Sequence, residues 1–232
     1  MIWKQIQVSA DWTHFLNNGA VLFGQKFKSV LKFHAPGFAP VEDKRGWYFI
    51  DLTGLPAIPG FFRKAWGFYC GLSAVEDESG CYHIDTEGKP AYAEKYAWCG
   101  NYQENLCPVR DTQGKYYHID LNGKRIASGD YRYAGDYKDG FACVMLPNGN
   151  FKHINASGNF IYEAEYLDLG VFHKGYATAK DLRGWCHINL KGSPLYPERY
   201  VKLEPFYNGA AFAELEGNQK LIRHATALQS EI

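Results

Sequence analysis

The stretch from Gly114 to Val144, GKYYHIDLNGKRIASGDYRYAGDYKDGFACV, returns with substitutions along nearly all of the 232-residue sequence. An apolar residue marks the same place in each copy. These anchors are Phe15, Ile50, Ile84, Ile119, Ile154, Ile188 and Ile222, at intervals of 35, 34, 35, 35, 34 and 34 residues. So regular a period predicts a repeat protein, in which each unit buries its apolar face against its neighbours. We expect residues 1–232 to form a single repeat domain.

A turn signal follows the first six anchors. A glycine stands four residues after each of them, at Gly19, Gly54, Gly88, Gly123, Gly158 and Gly192. In five of these units Asp or Asn opens the turn, as in Asp120-Leu121-Asn122-Gly123. The Asx side chain caps such a turn, and glycine tolerates the left-handed conformation that starts the return strand. We therefore expect a hairpin here, with Gly123 at positive φ.

The strand that carries each anchor is bulky on both faces. Tyr117 and Ile119 alternate with Tyr116 and His118, whereas a strand with one wet face alternates apolar and polar residues. Each unit should therefore be covered by neighbours on both sides. No segment of ten or more residues has the 3.6-residue apolar period of a helix, so helix should be nearly absent. Each unit has room for four short strands or for three somewhat longer ones.

These features predict an all-β fold of units of about 35 residues, arranged as a six- or seven-bladed β-propeller. Radial blades of short strands leave only short, protected sheet edges. A β-solenoid of stacked hairpins is the alternative, because the unit is short for a propeller blade.

Two units contain a Gly-Trp pair, Gly46-Trp47 and Gly184-Trp185, ahead of an aromatic residue or His, an Ile and the Asx-x-x-Gly turn. Together with Tyr117-His118-Ile119-Asp120 and Pro205-Phe206-Tyr207-Asn208-Gly209, this pattern resembles the bacterial WG-repeat family over about residues 2–223. The resemblance implies an interaction module, either alone or preceding an enzyme domain such as a methyltransferase, and brings no catalytic residues. The sequence departs from the family in its last unit, where Thr226 replaces the turn glycine.

Composition limits the class of partner. Lys plus Arg balance Asp plus Glu at 25 each, whereas nucleic-acid-binding domains normally carry a basic surplus. We therefore expect neither a nucleic-acid nor a membrane partner. The N-terminus has no signal-peptide pattern, and no stretch approaches the roughly 18 apolar residues of a membrane span. Six cysteines without CxxC spacing predict reduced thiols rather than a disulfide framework or a zinc site. We expect a cytoplasmic protein.

Histidines are the strongest candidates for chemistry, because five of them share one repeat position: His14, His83, His118, His153 and His187. One histidine in each unit cannot converge on a common ion, so we expect each to bridge polar backbone at a repeat junction. We find no Gly-x-Ser-x-Gly elbow, phosphate loop or dinucleotide fingerprint. The sequence predicts no enzyme, no metal and no cofactor.

Three surplus aromatic residues, Trp66, Trp98 and Tyr133, are close to one another in the repeat map. Such a cluster can be an interface hot spot, a sugar-stacking platform or additional core. The sequence predicts a monomeric, non-enzymatic scaffold that binds a protein or peptide through loops at one end of the array. The alternative is a lectin-like, carbohydrate-binding module that uses these aromatic residues.

Overall fold

The computed structural model describes residues 3–215 and 217–223. Thr226, and the rest of the C-terminal tail beyond Arg223, lie outside the described residues. Within the described part of the chain the only helix is a 3₁₀ turn, Trp3–Gln5, and strands and turns account for the rest. The prediction of an all-β fold is confirmed.

The strands are short, and most belong to antiparallel hairpins. Up to residue 114 they are β1 (Gln7–Val8), β2 (Phe15–Asn17), β3 (Ala20–Val21), β4 (Ser29–Val30), β5 (Ala39–Asp43), β6 (Gly46–Ile50), β7 (Lys64–Tyr69), β8 (Leu72–Asp77), β9 (Gly80–Ile84), β10 (Trp98–Cys99) and β11 (Cys107–Arg110). From residue 115 they are β12 (Tyr116–Ile119), β13 (Tyr133–Ala134), β14 (Phe141–Met145), β15 (Phe151–Asn155), β16 (Asp168–Leu169), β17 (Tyr176–Asp181), β18 (Gly184–Asn189), β19 (Lys202–Leu203), β20 (Ala210–Leu215) and β21 (Asn218–Arg223).

The chain divides into two compact units, one of Met1–Gly114 with Ile119–Arg125 and one of Lys115–His118 with Ile126–Ile232. The first unit contains the three-stranded antiparallel sheets β1–β2–β3, β4–β5–β6 and β7–β8–β9. The second unit contains β13–β14–β15, β16–β17–β18 and β19–β20–β21. In every one of these sheets the strands follow chain order, so local hairpins build them. That residues 1–232 form one domain stays a prediction.

The sequence left open whether each unit has four short strands or three longer ones, and the structure shows three. In the sheet β13–β14–β15 the first strand has two residues and the other two have five each. The chain that follows this anchor strand pairs back with it at isolated bridges, Ile154 with Phe160 and Phe151 with Tyr166, and not as a fourth continuous strand.

The anchor strands are covered on both faces, as their sequence predicts. Ile84, Ile154 and Ile188 are at most 1% exposed, and the histidines that precede them are fully buried. Because alternate residues of a strand point to opposite faces, both faces of each strand must be packed. Ile84 and Ile188 each belong to an apolar cluster that draws residues from more than one sheet.

The structure contains the hairpin turn that the sequence predicts at Asp120. The Asp120 Oδ1 accepts hydrogen bonds from the backbone N–H groups of Asn122 and Lys124, both at 2.9 Å. Gly123 has φ of +77°, which confirms the expected left-handed conformation. A Cβ atom on Gly123 would also lie 2.5 Å from Cγ of Tyr92 in the preceding repeat. The glycine therefore serves the turn and the repeat junction together.

Candidate functional site

Four of the five shared histidines are junction residues, as predicted, whereas the Nδ1 atom of the fifth, His14, contacts the nearby Thr13 and Asp11 side chains. The Nε2 atoms of His83, His118, His153 and His187 contact the backbone carbonyls of Gly100, Gly135, Gly170 and Glu204 at 2.8–3.0 Å. Each of these carbonyls lies seventeen residues further along the chain, at the start of the next repeat. Burial lowers the pKa of His83, His118 and His153 to about 4, so these side chains are neutral near pH 7. These four histidine side chains therefore link each repeat to the next one.

The cysteines differ in their ionisation, because a hydrogen bond from Cys99 lowers the pKa of Cys81 whereas burial raises the pKa of other thiols. All six are free thiols, and all but Cys70 are buried. Burial raises the pKa of Cys143 to about 12 and raises that of Cys99 further. Since the thiolate is the reactive form, these two thiols are inert. Among the described residues, no group of three or more His, Cys, Asp or Glu side chains is placed to hold a metal ion.

The three surplus aromatic residues lie on different strands. Trp66 is half-buried in β7, at the point where pairing with β8 shifts register. Trp98 is half-buried in β10, also in the first unit. Tyr133 is 46% exposed in β13 of the second unit, with its ring centroid 5.9 Å from that of Tyr116. Tyr133 is thus the member of the set whose ring a ligand reaches most readily.

A groove of about 420 Å³ lies beside the turn that joins β5 to β6 in the first unit. The Arg45 guanidinium lies over the ring of Phe61, 4.4 Å from its centroid, and pairs with Asp43 at 2.6 Å. Lys28 pairs with Glu42 along the same wall. Phe61 remains 45% exposed. The groove therefore exposes an aromatic surface that is surrounded by side chains of both positive and negative charge.

A second groove, of about 510 Å³, lies beside the equivalent turn between β17 and β18. Leu182, at the tip of this turn, is 93% exposed, and Leu167 on the facing wall is 45% exposed. The side-chain amide of Asn150 donates to Glu165 at 2.8 Å and lowers the pKa of that carboxyl. Here too, exposed apolar side chains lie beside polar and charged side chains.

Arg199 fixes the base of the β17–β18 turn. Its Nε donates to Asp181 at 2.7 Å, and the Arg199 side chain is only 7% exposed. Burial acts to raise the pKa of Asp181, but the hydrogen bonds from Arg199 and from the Arg183 N–H, together with the positive charges of both arginines, outweigh it, so the pKa lies below its usual value. A partly buried, charge-assisted hydrogen bond thus anchors the end of β17 at neutral pH.

The Gly-Trp pairs close these two turns. Gly46 and Gly184 have φ of +124° and +133°, which L side chains rarely adopt. A Cβ atom on either glycine would lie 2.7–2.8 Å from a carbonyl oxygen, that of Phe62 or of Tyr200. The motif therefore marks the turns that border the grooves. Sequence reasoning missed Phe61 and Leu182, although an apolar Leu182 within the polar Asp181-Leu182-Arg183-Gly184 turn was a signal.

The comparisons with known proteins agree with this architecture. The family model described as "WG containing repeat" matches residues 154–182, so the resemblance to this family is confirmed and the chain carries a WG repeat. No curated protein matches the sequence significantly. In the part of the chain that the structure describes, helices fall short of the length and apolar character that spanning a bilayer requires.

Solved structures share the fold at low sequence identity. The computationally designed Ika8 protein is 14% identical with a TM-score of 0.57, over 94% of this chain and 80% of that one. BamB from Moraxella catarrhalis is 12% identical with a TM-score of 0.51, over 95% and 84%. The WD40 β-propeller domain of Doa1 is 13% identical with a TM-score of 0.42, over 96% and 90%. The fold is that of the β-propeller class, built from three-stranded antiparallel blades, rather than a β-solenoid.

Proposed function

We propose that this protein is a non-enzymatic scaffold that binds a peptide or protein partner. The groove beside the β17–β18 turn is the primary site of this proposal, and the equivalent β5–β6 groove is the second. The single observation that carries the proposal is Leu182, which leaves 93% of its surface in solvent at the rim of a groove of ligand-binding size. A large exposed apolar side chain on a rigid turn, rimmed by charges, is typical of an interaction surface.

The polar frame suggests what the partner looks like. Glu165, Asp181 and Arg183 surround Leu182 and Leu167, so the groove offers both signs of charge around an apolar centre. An extended peptide with one apolar residue flanked by charged residues would match both the apolar centre and the charged rim of this groove. The junction histidines are engaged in joining repeats, which accounts for their recurrence in structural terms. A cytoplasmic location and a bacterial source remain part of this proposal.

Site-specific photo-cross-linking tests the proposal. A photoreactive phenylalanine analogue replaces Leu182, and in a control it replaces Leu190, which is 42% exposed in the same unit. We expect a discrete adduct from native lysate at position 182 and none at position 190. The affinity for the partner identified in this way is then measured for two variants. We expect Leu182→Asp to weaken binding at least tenfold and Leu190→Asp to leave it unchanged. Equal adducts at both positions, or none at 182, would contradict the proposal.

The carbohydrate-binding alternative is favoured by one observation, the 46% exposure of the Tyr133 ring. Exposed aromatic faces stack on sugar rings, and Trp66 and Trp98 are only half-buried. A glycan array separates the two functions. Binding to a glycan that disappears in both Trp98→Ala and Tyr133→Ala, but survives Leu182→Asp, would favour the carbohydrate module over the peptide scaffold.

A further inference from the structure

Three repeats contain the same pair of side chains, a buried histidine and a tyrosine. In each, the Nδ1 atom of the junction histidine meets the hydroxyl of a tyrosine nine residues further on. The pairs are His83 with Tyr92, His153 with Tyr162 and His187 with Tyr196, and the last two are 2.6 Å apart. The ring centroids are separated by 5.9 Å in all three. The pair therefore recurs with the same geometry in three repeats.

His118 keeps the backbone contact of the other junction histidines but lacks the tyrosine partner. Its Nε2 contacts the Gly135 carbonyl at 2.8 Å, and its ring packs against Tyr137 at 4.7 Å between centroids. Nine residues further on, however, stands Ala127. His118 is 3% exposed, and among the described residues its buried Nδ1 atom has no hydrogen-bond partner.

The backbone around Ala127 keeps the register of the complete repeats. The N–H of Ile126 donates to the His118 carbonyl at 3.0 Å, just as that of Leu195 donates to the His187 carbonyl at 2.9 Å. A Cβ atom on Gly158 would collide with Ala127, as one on Gly192 would collide with Tyr162. The position is therefore conserved in space, and only the phenol ring is missing. Ala127 is half-buried, so this place adjoins the surface.

The chemistry of His118 defines what would fit. Because Nε2 faces a carbonyl, it must carry the ring proton, which leaves Nδ1 as a bare acceptor. Burial keeps the imidazole neutral at pH 7. An unpaired buried acceptor calls for a donor, and the other repeats show that a phenol hydroxyl meets this need.

We propose that Ala127 leaves a recognition site for a phenolic hydroxyl group, which donates to Nδ1 of His118 while its ring takes the place of the missing tyrosine side chain. The phenol could belong to a free small molecule or to a tyrosine of a bound peptide. The residues of this site differ from those that line the two turn grooves, and the site does not depend on the function proposed for them.

Titration with p-cresol, the side chain of tyrosine, tests the site. Long-range proton–nitrogen spectra of the full chain, labelled at histidine, report the Nδ1 resonance of His118 directly. We expect a saturable shift of that resonance at millimolar p-cresol, with at least a tenfold weaker response to toluene, which has the ring but lacks the donor. N-acetyl-tyrosinamide forms the second arm, and tighter binding of it than of p-cresol would identify a peptide tyrosine as the source.

Variants of this chain provide matched controls. Ala127→Tyr should fill the site and abolish the p-cresol response. Ala127→Phe should also abolish this response, because its own ring occupies the site without supplying a hydroxyl group. Tyr162→Ala should create a second responsive histidine at His153. A His118 resonance that is unmoved by p-cresol, as expected if water alone satisfies Nδ1, would overturn the proposal. So would a response that persists in Ala127→Tyr or Ala127→Phe, or one that toluene reproduces.

Discussion

At the scale of single residues, the repeat assigns one role to a position and the structure then adds a second. The turn glycine four residues after the anchor is required by its positive φ, which the sequence predicts. It is also required because the neighbouring repeat packs directly against it, as Tyr92 does against Gly123. Nothing in the Asx-x-x-Gly pattern signals this contact, because it joins residues of different repeats.

The double role of Gly123 leads to a prediction with a matched control. Gly114 has a similar φ of +84° but nothing within 4 Å of an added Cβ atom. Gly114→Val should cost about 1–2 kcal/mol for backbone strain alone. Gly123→Val should cost clearly more, because the branched side chain also displaces the Tyr92 ring. Urea denaturation of the two variants measures the difference, and equal losses would show that the junction contact contributes nothing.

The buried histidines predict a pH dependence of stability. The pKa values of His83, His118 and His153 are lowered from 6.5 to about 4 by burial, so the unfolded chain takes up protons first as the pH falls. Stability should therefore be full above pH 6.5 and decline between pH 6.5 and 4, by roughly 1–3 kcal/mol for each histidine. Asp136, whose pKa burial raises, offsets part of this loss.

Denaturant unfolding at several pH values between 7 and 4 checks this decline. His153→Gln retains a donor for the Gly170 carbonyl but cannot titrate, so the variant should lose less stability than the wild type over the same interval. An identical decline in the variant would assign the pH dependence to other groups.

At the scale of elements, the terminal sheet differs from the inner ones. Ile119 in β12 is fully buried, whereas Ile222 in β21 is half-buried and its neighbour Leu221 is 44% exposed. In three inner anchor strands the position of Leu221 holds a histidine with no exposed surface, at His83, His153 and His187. The last strand therefore keeps the hairpin but leaves uncovered the face that the inner strands bury.

Truncation of the two anchors measures this difference. Ile119→Ala should cost about 2–5 kcal/mol, because it removes methylene groups from a closely packed site. Ile222→Ala should cost clearly less, since solvent already reaches that side chain. Thermal melts of both variants compare them directly. A loss at Ile222 as large as that at Ile119 would mean that the last sheet is packed as tightly as the inner ones.

At the scale of the whole molecule, the balance of charge governs which long-range partners are attracted. The formal net charge is zero at pH 7, and several surface lysines are already engaged, as Lys95 is with Asp77 and Lys28 with Glu42. Nucleic-acid affinity arises largely from unpaired positive charge and the release of counterions.

We therefore expect no measurable binding of a labelled duplex DNA by fluorescence anisotropy at low salt. A basic DNA-binding domain of similar size serves as the positive control for the assay. Binding that weakens steeply as salt is added would show a concentrated basic surface and would contradict this expectation.

The repeat period, the turns and the burial of the anchors are local consequences of the sequence. Asp120 and Gly123 form their turn from adjacent residues, and alternation in a strand places Ile119 and His118 on opposite faces whatever lies around them. A pattern that recurs seven times in register averages out single exceptions. These features were predictable because short-range geometry controls them.

The tertiary structure decided which side chains meet across repeats and which stay in solvent. Leu182 and Phe61 are exposed at grooves, whereas Trp66 and Trp98 are half-buried, although all four are large apolar residues. The sequence placed His118 and Ala127 in their repeat positions, but only the folded chain shows that His118 loses its hydrogen-bond partner there. Burial and pairing depend on residues tens of positions apart, and packing in three dimensions alone brings those residues together.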